Sequence, residues 1–337
     1  MNETVTSPPA DMPNEEALAH TERGLFFIVG CGRSGTSLLQ MMLASHPAVT
    51  MPNETGFYAI LWRRHPRLRN IRDDAMFDRV LAIVLSSPRI RAMGLDEARV
   101  RALAKAGKRS WETILLAILT TFREQRGCDR VGEKSPEHIH YTHRIVDGFP
   151  NARIIHIVRD PRAVVLSLSR TPFAGRFVGR NITRWQKAIL QHRRYADALG
   201  PERYRLVRYE DLVSDAERTL TSLCSFLDLP FDRAMLRHES REEKVFASWQ
   251  EGHMANTLKP VFTSSIEKWK TDLSRRHIAL IEHALREDMA LLGYEPTGAA
   301  TPLPDLQLAL SRSAGLARRI IRRALLLTGL RKAPGET

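Results

Sequence analysis

A chain of 337 residues that is 43% hydrophobic has ample material for one large α/β domain, with or without helical insertions. Its formal charge of +13 points to an anionic ligand, an acidic acceptor, a membrane surface or nucleic acid, and by itself does not choose among them. Three cysteines (Cys31, Cys128, Cys224) are too few and too scattered for a disulfide framework or a zinc site, and no apolar run reaches the roughly 18 residues of a membrane span.

Residues 1–22 are acidic and proline-rich, with neither a basic nor an apolar leader region, and are expected to be a disordered leader. Leu25–Gly30 then reads as a short strand buried on both faces. Glycines follow at Gly30, Gly32 and Gly35, and Thr36-Ser37-Leu38-Leu39 opens a run of helical spacing. Strand, glycine loop and helix in that order make an anion cradle: backbone N–H groups turn inward and the helix N-terminus adds partial positive charge. Arg33, Ser34, Thr36 and Ser37 add donors at the same point. The spacing Gly30-x4-Gly35 is that of a nucleotide-triphosphate loop, but Thr36 stands where that motif needs lysine. The loop thus suits a 5′-phosphate whose transferred group is not a γ-phosphoryl.

His46-Pro47 ends the first helix, Ala48–Met51 is extended, and Phe57–Arg63 begins another helix. Glu54 is left in a loop at the carboxyl side of a strand, the edge where open α/β sheets bind ligands. Residues 70–127 have helical periodicity and are expected to form an insertion that covers one side of the sheet and shapes an acceptor pocket. A short strand at Arg130–Gly132 places Lys134 at a strand end before Pro136. Arg153–Val158 is a strand, Asp160 a helix cap and Pro161 a first helical residue, with Ser167 two turns in. Arg159 and Ser167 together suggest a second phosphate site, the plain alternative being that Arg159 pairs with Asp160. The strand Tyr204–Val207 leads into Tyr209, and Leu212–Leu227 and Arg275–Leu292 have helical spacing. Between them the basic segment His253–Lys270 reads as a loop closing over something. Alternating strands and helices with short links imply a mostly parallel sheet flanked by helices, an α/β fold of P-loop type.

Three blocks, FIVGCGRSGTSLLQMMLASHPAVTMPNET, RIIHIVRDPRAVVLSLSR and RYEDLV…LKPVFTSSIEKWK…LLGYEP, carry a family match over roughly residues 25–296. The chain resembles the PAPS-dependent sulfotransferases, and within them the tyrosylprotein sulfotransferase branch with its bacterial relatives. The resemblance implies the sulfotransferase fold over 23–296, with PAPS (3′-phosphoadenosine 5′-phosphosulfate) as donor and no metal. It implies that Arg33, Ser34, Gly35, Thr36 and Ser37 hold the 5′-phosphosulfate end. Arg159 and Ser167 match 3′-phosphate contacts, with Arg170 as a third; Tyr209 matches a nucleotide-site tyrosine; and Lys259 and Lys268 match basic positions on a closing loop. Glu54 falls at the catalytic-base position and Lys134 resembles the catalytic lysine, with Arg33 beside them. His138, His140 and His143 lie close to Lys134 in sequence and offer an alternative base. In-line sulfuryl transfer to a hydroxyl needs mainly positioning and charge neutralisation, which these residue types supply. The secreted members of that branch carry a membrane anchor and disulfides that are not apparent here, so the expectation is a cytoplasmic enzyme whose acceptor (tyrosine peptide, glycan, lipid or small metabolite) stays open.

Residues 297–304 form a Thr/Pro/Gly/Ala linker. Beyond it, seven basic residues and no acidic one lie between Arg312 and Lys332, with Leu316, Ile320, Arg323 and Leu327 at helical spacing. A basic amphipathic helix lying on an anionic membrane surface, at the inner membrane for a cytoplasmic enzyme, is one expectation. Packing on its own domain or on a second subunit in a homodimer is the other. Two rival functions remain: a P-loop kinase or NTPase, opposed by Thr36 and the lack of an apparent magnesium carboxylate, and a nucleic-acid-binding protein, which charge alone suggests and no recognition motif supports.

Overall fold

Five parallel strands lie side by side in the order β2-β3-β1-β4-β5 in the computed structural model, which describes residues 12–171, 175, 177–240, 264–311 and 313. They are β1 (Phe26–Gly30), β2 (Val49–Thr50), β3 (Arg130–Lys134), β4 (Arg153–Val158) and β5 (Tyr204–Arg208). Every residue of β1 is buried, as a central parallel strand covered on both faces requires. Because β1 sits between β3 and β4, successive connections leave it toward opposite edges, and the crevice at its carboxyl end is where such sheets take ligands. The mostly parallel sheet expected from the sequence is therefore present.

The described residues fall into two compact units, one of residues 1–158 and 191–263, the other of 159–190 and 264–337. Unit 1 holds the sheet. Its first helix, α1 (Asn14–Arg23), corrects the expectation of a disordered leader over residues 14–22. Ala17, Leu18 and Thr21 form a buried stripe on it, Arg123 donates to Thr21 Oγ1 at 3.1 Å, and Glu22 accepts from the Asn151 backbone at 2.9 Å. Average composition hid that stripe because acidic and polar residues surround it. Helix α2 (Thr36–Ala44) follows the glycine loop. The expected insertion consists of α3 (Asp74–Leu85), α4 (Pro88–Arg91), α5 (Glu97–Ala106) and α6 (Trp111–Glu124). Asp73, Asp96 and Ser110 cap α3, α5 and α6 by accepting from the backbone at 2.7, 3.1 and 3.0 Å. Helix α6 is buried around most of its circumference and packs on β3, α1 and α5.

The expected helix at Phe57–Arg63 is a π-helical turn, Phe57–Trp62, entered through Gly56 at φ 58°. A wider turn of this kind often marks a functional site. Helix α7 (Thr142–Gly148) precedes β4, and α10 (Tyr209–Ser214) and α11 (Ala216–Phe226) divide the helical run expected at Leu212–Leu227.

Unit 2 opens with α8 (Pro161–Ser169), whose Asp160 cap and Pro161 start match the sequence reading. A helix that the sequence pattern leaves unmarked, α9 (Val178–Arg203), has a narrow apolar stripe of Ile182, Trp185, Ala188 and Ile189 among polar residues and loses helical backbone at Gly200. Later come α12 (Ser264–Glu267), α13 (Trp269–Asp272), α14 (Arg275–Ala284) and α15 (Arg286–Leu291), the last two filling the expected run Arg275–Leu292. Ala163, Leu166, Trp269 and Ile278 make the unit's small core. Beside it Arg162 stacks on Trp269 at 3.9 Å and bonds Asp160 at 2.7 Å and Glu282 at 2.6 Å. No helix among the described residues is long and apolar enough to cross a membrane.

Candidate active site

The glycine loop is shaped by two close approaches. A Cβ at Gly30 would stand 2.4 Å from the Ile157 carbonyl, and one at Gly35 would stand 2.3 Å from the Tyr209 ring. Gly35 (φ 97°) and Arg33 (φ 75°) both adopt left-handed backbone, a cost that a non-glycine residue such as Arg33 accepts when a loop must turn sharply around something. Tyr209, at the start of α10 and buried, thus packs directly on the loop it was expected to serve. Ser34 is fully buried and its Oγ has no hydrogen-bond partner. An orphan buried hydroxyl in this glycine loop, next to the N-terminus of α2, fits an anion.

At the same sheet edge, Lys134 ends β3 with its side chain fully buried. Its Nζ donates to Glu54 Oε1 at 2.5 Å and to Ser37 Oγ at 3.3 Å. Three residues separated by up to 97 positions in sequence are thereby gathered around one ammonium group. Glu54 remains one-fifth exposed, and Arg89 flanks it, donating to its backbone carbonyl at 3.1 Å with a looser 3.9 Å approach to Oε2.

Behind this pair lies a cluster that sequence reasoning missed. Glu133, fully buried, accepts from Thr55 Oγ1 and Ser135 Oγ, each at 2.6 Å, and from His138 Nδ1 at 2.9 Å. Ser135 Oγ in turn accepts from Gly56 N at 3.0 Å. Burial pushes the Glu133 carboxyl up, but the His138 ring and the two hydroxyls outweigh it and hold the carboxyl below its ordinary range. Glu133 is the neighbour of Lys134, and Thr55 is the neighbour of Glu54, so the cluster clamps the two backbones that carry the pair. The signal was there in the acidic residue inside a strand, Arg130–Lys134, where burial demands several donors.

The alternative histidine base does not survive this geometry at His138. Its Nε2 accepts the Tyr58 N–H at 3.2 Å, so both ring nitrogens are committed within a fully buried side chain. The ring serves the clamp.

Unit 2 carries the second expected anion group. Arg159 is half-buried, and its carbonyl accepts from Trp185 Nε1 at 2.9 Å, which holds the residue at the entrance to α8. Asp160 accepts from Arg162 through both carboxylate oxygens. Ser167 is half-buried on α8. Arg170 lies just past the end of that helix, half-exposed, and donates to Asp272 Oδ2 at 2.6 Å, an acidic partner that competes with any phosphate. Lys268 is exposed between α12 and α13, and Lys259 lies outside the described residues.

A family model described as "Sulfotransferase family" matches residues 26–233, which include the glycine loop, Glu54, Lys134 and Tyr209. A protein-tyrosine sulfotransferase of Drosophila melanogaster is 30% identical over 292 residues, covering 82% of this chain and 52% of the relative. Protein-tyrosine sulfotransferase 1 of Danio rerio is 31% identical over 284 residues, covering 81% and 72%. The chain thus spans about half the length of the fly protein and nearly three-quarters of the fish one. Among solved structures, the sulfotransferase domain of the Synechococcus PCC 7002 olefin synthase shares the fold at a TM-score of 0.58 and 24% identity, over 87% of this chain and 99% of that domain. With a family match over more than half its length and a fish relative largely spanned at 31% identity, this chain belongs to the sulfotransferase family, enzymes that move a sulfuryl group onto an acceptor.

Proposed function

We propose that the protein transfers the sulfuryl group of PAPS to a hydroxyl, with the phenol of a protein or peptide tyrosine as the favoured acceptor. The observation that carries this reading is Lys134 Nζ, held between Glu54 Oε1 and Ser37 Oγ. One cation there touches both the base and the first turn of the helix that follows the anion loop. The tyrosine acceptor is supported by the relatives, which are named protein-tyrosine sulfotransferases.

The donor supplies a sulfur poised for in-line displacement from a phosphate oxygen. Ser34, Thr36 and the loop backbone would grip its 5′ end, and Arg159 and Ser167 its 3′-phosphate. Glu54 takes the acceptor's proton as the new oxygen–sulfur bond forms, and the old sulfur–oxygen bond breaks with its electron pair left on phosphate. Lys134, Ser37 and Arg33 would offset that developing charge. Before substrate binds, Lys134 holds Glu54 in place through Oε1; the acceptor hydroxyl replaces the lysine there when it binds.

The test is calorimetric titration with adenosine 3′,5′-bisphosphate and with 5′-AMP. The bisphosphate should bind about ten- to a hundredfold more tightly, as a charge-assisted phosphate contact implies. Arg159→Ala should remove that preference while leaving 5′-AMP affinity unchanged. Equal affinity for the two nucleotides would dismiss PAPS as the donor, and transfer to glycans but not to tyrosine peptides would dismiss the acceptor.

A further inference from the structure

The basic run 312–332, expected above as a membrane-surface helix, lies almost wholly outside the described residues. Within unit 1, the helical insertion reaches the candidate base. The residues that carry Glu54 from β2 to the π-helical turn are tied down one after another. Pro52 O accepts from Gln40 Nε2 at 2.7 Å, Thr55 Oγ1 donates to Glu133 at 2.6 Å, and Gly56 N donates to Ser135 Oγ at 3.0 Å. The two residues between them, Asn53 and Glu54, are both tied to Arg89 of α4. Arg89 Nη1 donates to the Glu54 carbonyl at 3.1 Å, and Asn53 Nδ2 donates to the Arg89 carbonyl at 3.2 Å. Each backbone is thus gripped by a side chain of the other segment.

Arg89 Nη1 also stands 3.9 Å from Glu54 Oε2, the carboxylate oxygen that Lys134 does not hold. The two cations divide the residue between them. Lys134, fully buried, takes Oε1; Arg89, with 27% of its side chain exposed, takes the backbone and faces Oε2. A lysine on the oxygen that receives the proton aims the carboxylate only until the acceptor hydroxyl displaces it. An arginine bonded to the peptide carbonyl keeps its hold, because the transfer leaves that oxygen untouched.

We propose that Arg89 is a positioning residue for the transfer: it fixes the Glu54 backbone and steadies Oε2, so that the base stays aimed after Lys134 has released it. The inference rests on Glu54 being the base. It makes α4, a single turn inside the insertion, part of the support of the site.

The test is steady-state transfer from PAPS to a tyrosine peptide by the full chain, with amide hydrogen exchange as a readout that needs no turnover. Arg89→Met keeps the length of the side chain and removes the donor. Its kcat should fall about ten- to a hundredfold, the cost of a misplaced reacting group, with peptide KM within about a factor of two and an unchanged melting temperature. Arg89→Lys should recover most of the loss, because a single nitrogen makes both approaches to Glu54 and an ammonium can stand in its place. In a Glu54→Gln background Arg89→Met should have no further effect on kcat, as follows if Arg89 acts only through that residue. Amides of residues 53–57 should exchange about tenfold faster in Arg89→Met. The proposal is overturned if Arg89→Met keeps the wild-type rate while Glu54→Gln is slow, if the two losses multiply, or if exchange over 53–57 is unchanged. A raised peptide KM at constant kcat would also overturn it, by making Arg89 a contact of the acceptor. Failure of the base itself reads differently, since Glu54→Gln would then transfer as fast as wild type and both readings would fall together.

Discussion

In unit 1 a lysine at the end of β3 meets one carboxylate and a hydroxyl; in unit 2 an arginine at the start of α8 meets two carboxylates, an aromatic face and a backbone carbonyl. Arg162 and its partners Asp160 and Glu282 are 5%, 8% and 6% exposed, whereas Glu54 keeps 20% of its surface open beside a fully buried Lys134. Glu282 is further occupied by Thr297, whose N–H and hydroxyl both donate to it. The difference is one of saturation. A guanidinium that never loses its proton, with nearly all its donors used, locks elements together; an ammonium with a single ionic partner can exchange that partner for a substrate. The same chemical types are thus saturated and buried in one unit and left partly open in the other.

Four measurements press on that contrast. The largest effect is expected at Glu54: Glu54→Gln should lower the initial rate of sulfuryl transfer by about 10²–10⁴, the usual contribution of a positioned base, with bisphosphate affinity and melting temperature unchanged. A fall in stability rather than rate would place Glu54 with the architectural carboxylates. Arg162→Met should do the reverse, costing roughly 3–5 kcal/mol in urea unfolding because it leaves two buried carboxylates facing each other. If transfer falls while unfolding is unaffected, the distinction between the two groups is lost.

Glu133→Gln separates aiming from chemistry. The amide keeps the volume but forfeits a charge-assisted acceptor for His138 and the two hydroxyls, so the loop carrying Glu54 shifts. The turnover number should drop by about a hundredfold, as sub-ångström misplacement allows, with bisphosphate affinity within a factor of two and an unaltered pH dependence of the rate. A displaced pH profile would mean that Glu133 itself exchanges protons in the reaction.

The smallest effect concerns His156, fully buried in the middle of β4 with Nδ1 2.6 Å from the Tyr204 hydroxyl. Burial, with some repulsion from His192 and His140, lowers its pKa from 6.5 to about 3. Between those values the unfolded chain binds a proton that the folded one refuses, so this contribution is complete above pH 6.5 and is lost as the pH falls toward 3. Unfolding free energy should decline by up to about 1.4 kcal/mol per pH unit on this account, and His156→Phe should flatten the decline between pH 6.5 and 5. An unchanged slope in the variant would assign the acid sensitivity to the other buried histidines.

Much of this was legible beforehand because it is written in local pattern. Leu25–Gly30, the glycine loop and Thr36 onward announce strand, turn and helix within a dozen residues, and Asp160-Pro161 announces a helix start. Glu54 and Lys134 were singled out from a family pattern; Lys134 ends β3, and Glu54 lies in the loop that follows β2, as the residues themselves indicate. Other features had no local sign. The stripe on α1 is three residues among charges, α9 is a narrow stripe in a polar run, and Glu133 shows its purpose only once Thr55, Ser135 and His138 converge on it.

By itself the amino-acid sequence determined the succession of elements, the anion loop and the types of side chain available to a sulfuryl-transferring site, since backbone propensity and hydrophobic period act over a few residues. Tertiary structure alone decided which carboxylate would be satisfied and which left open, because hydrogen-bond saturation depends on groups that are 80 or more positions apart in the chain and meet only when the sheet is assembled.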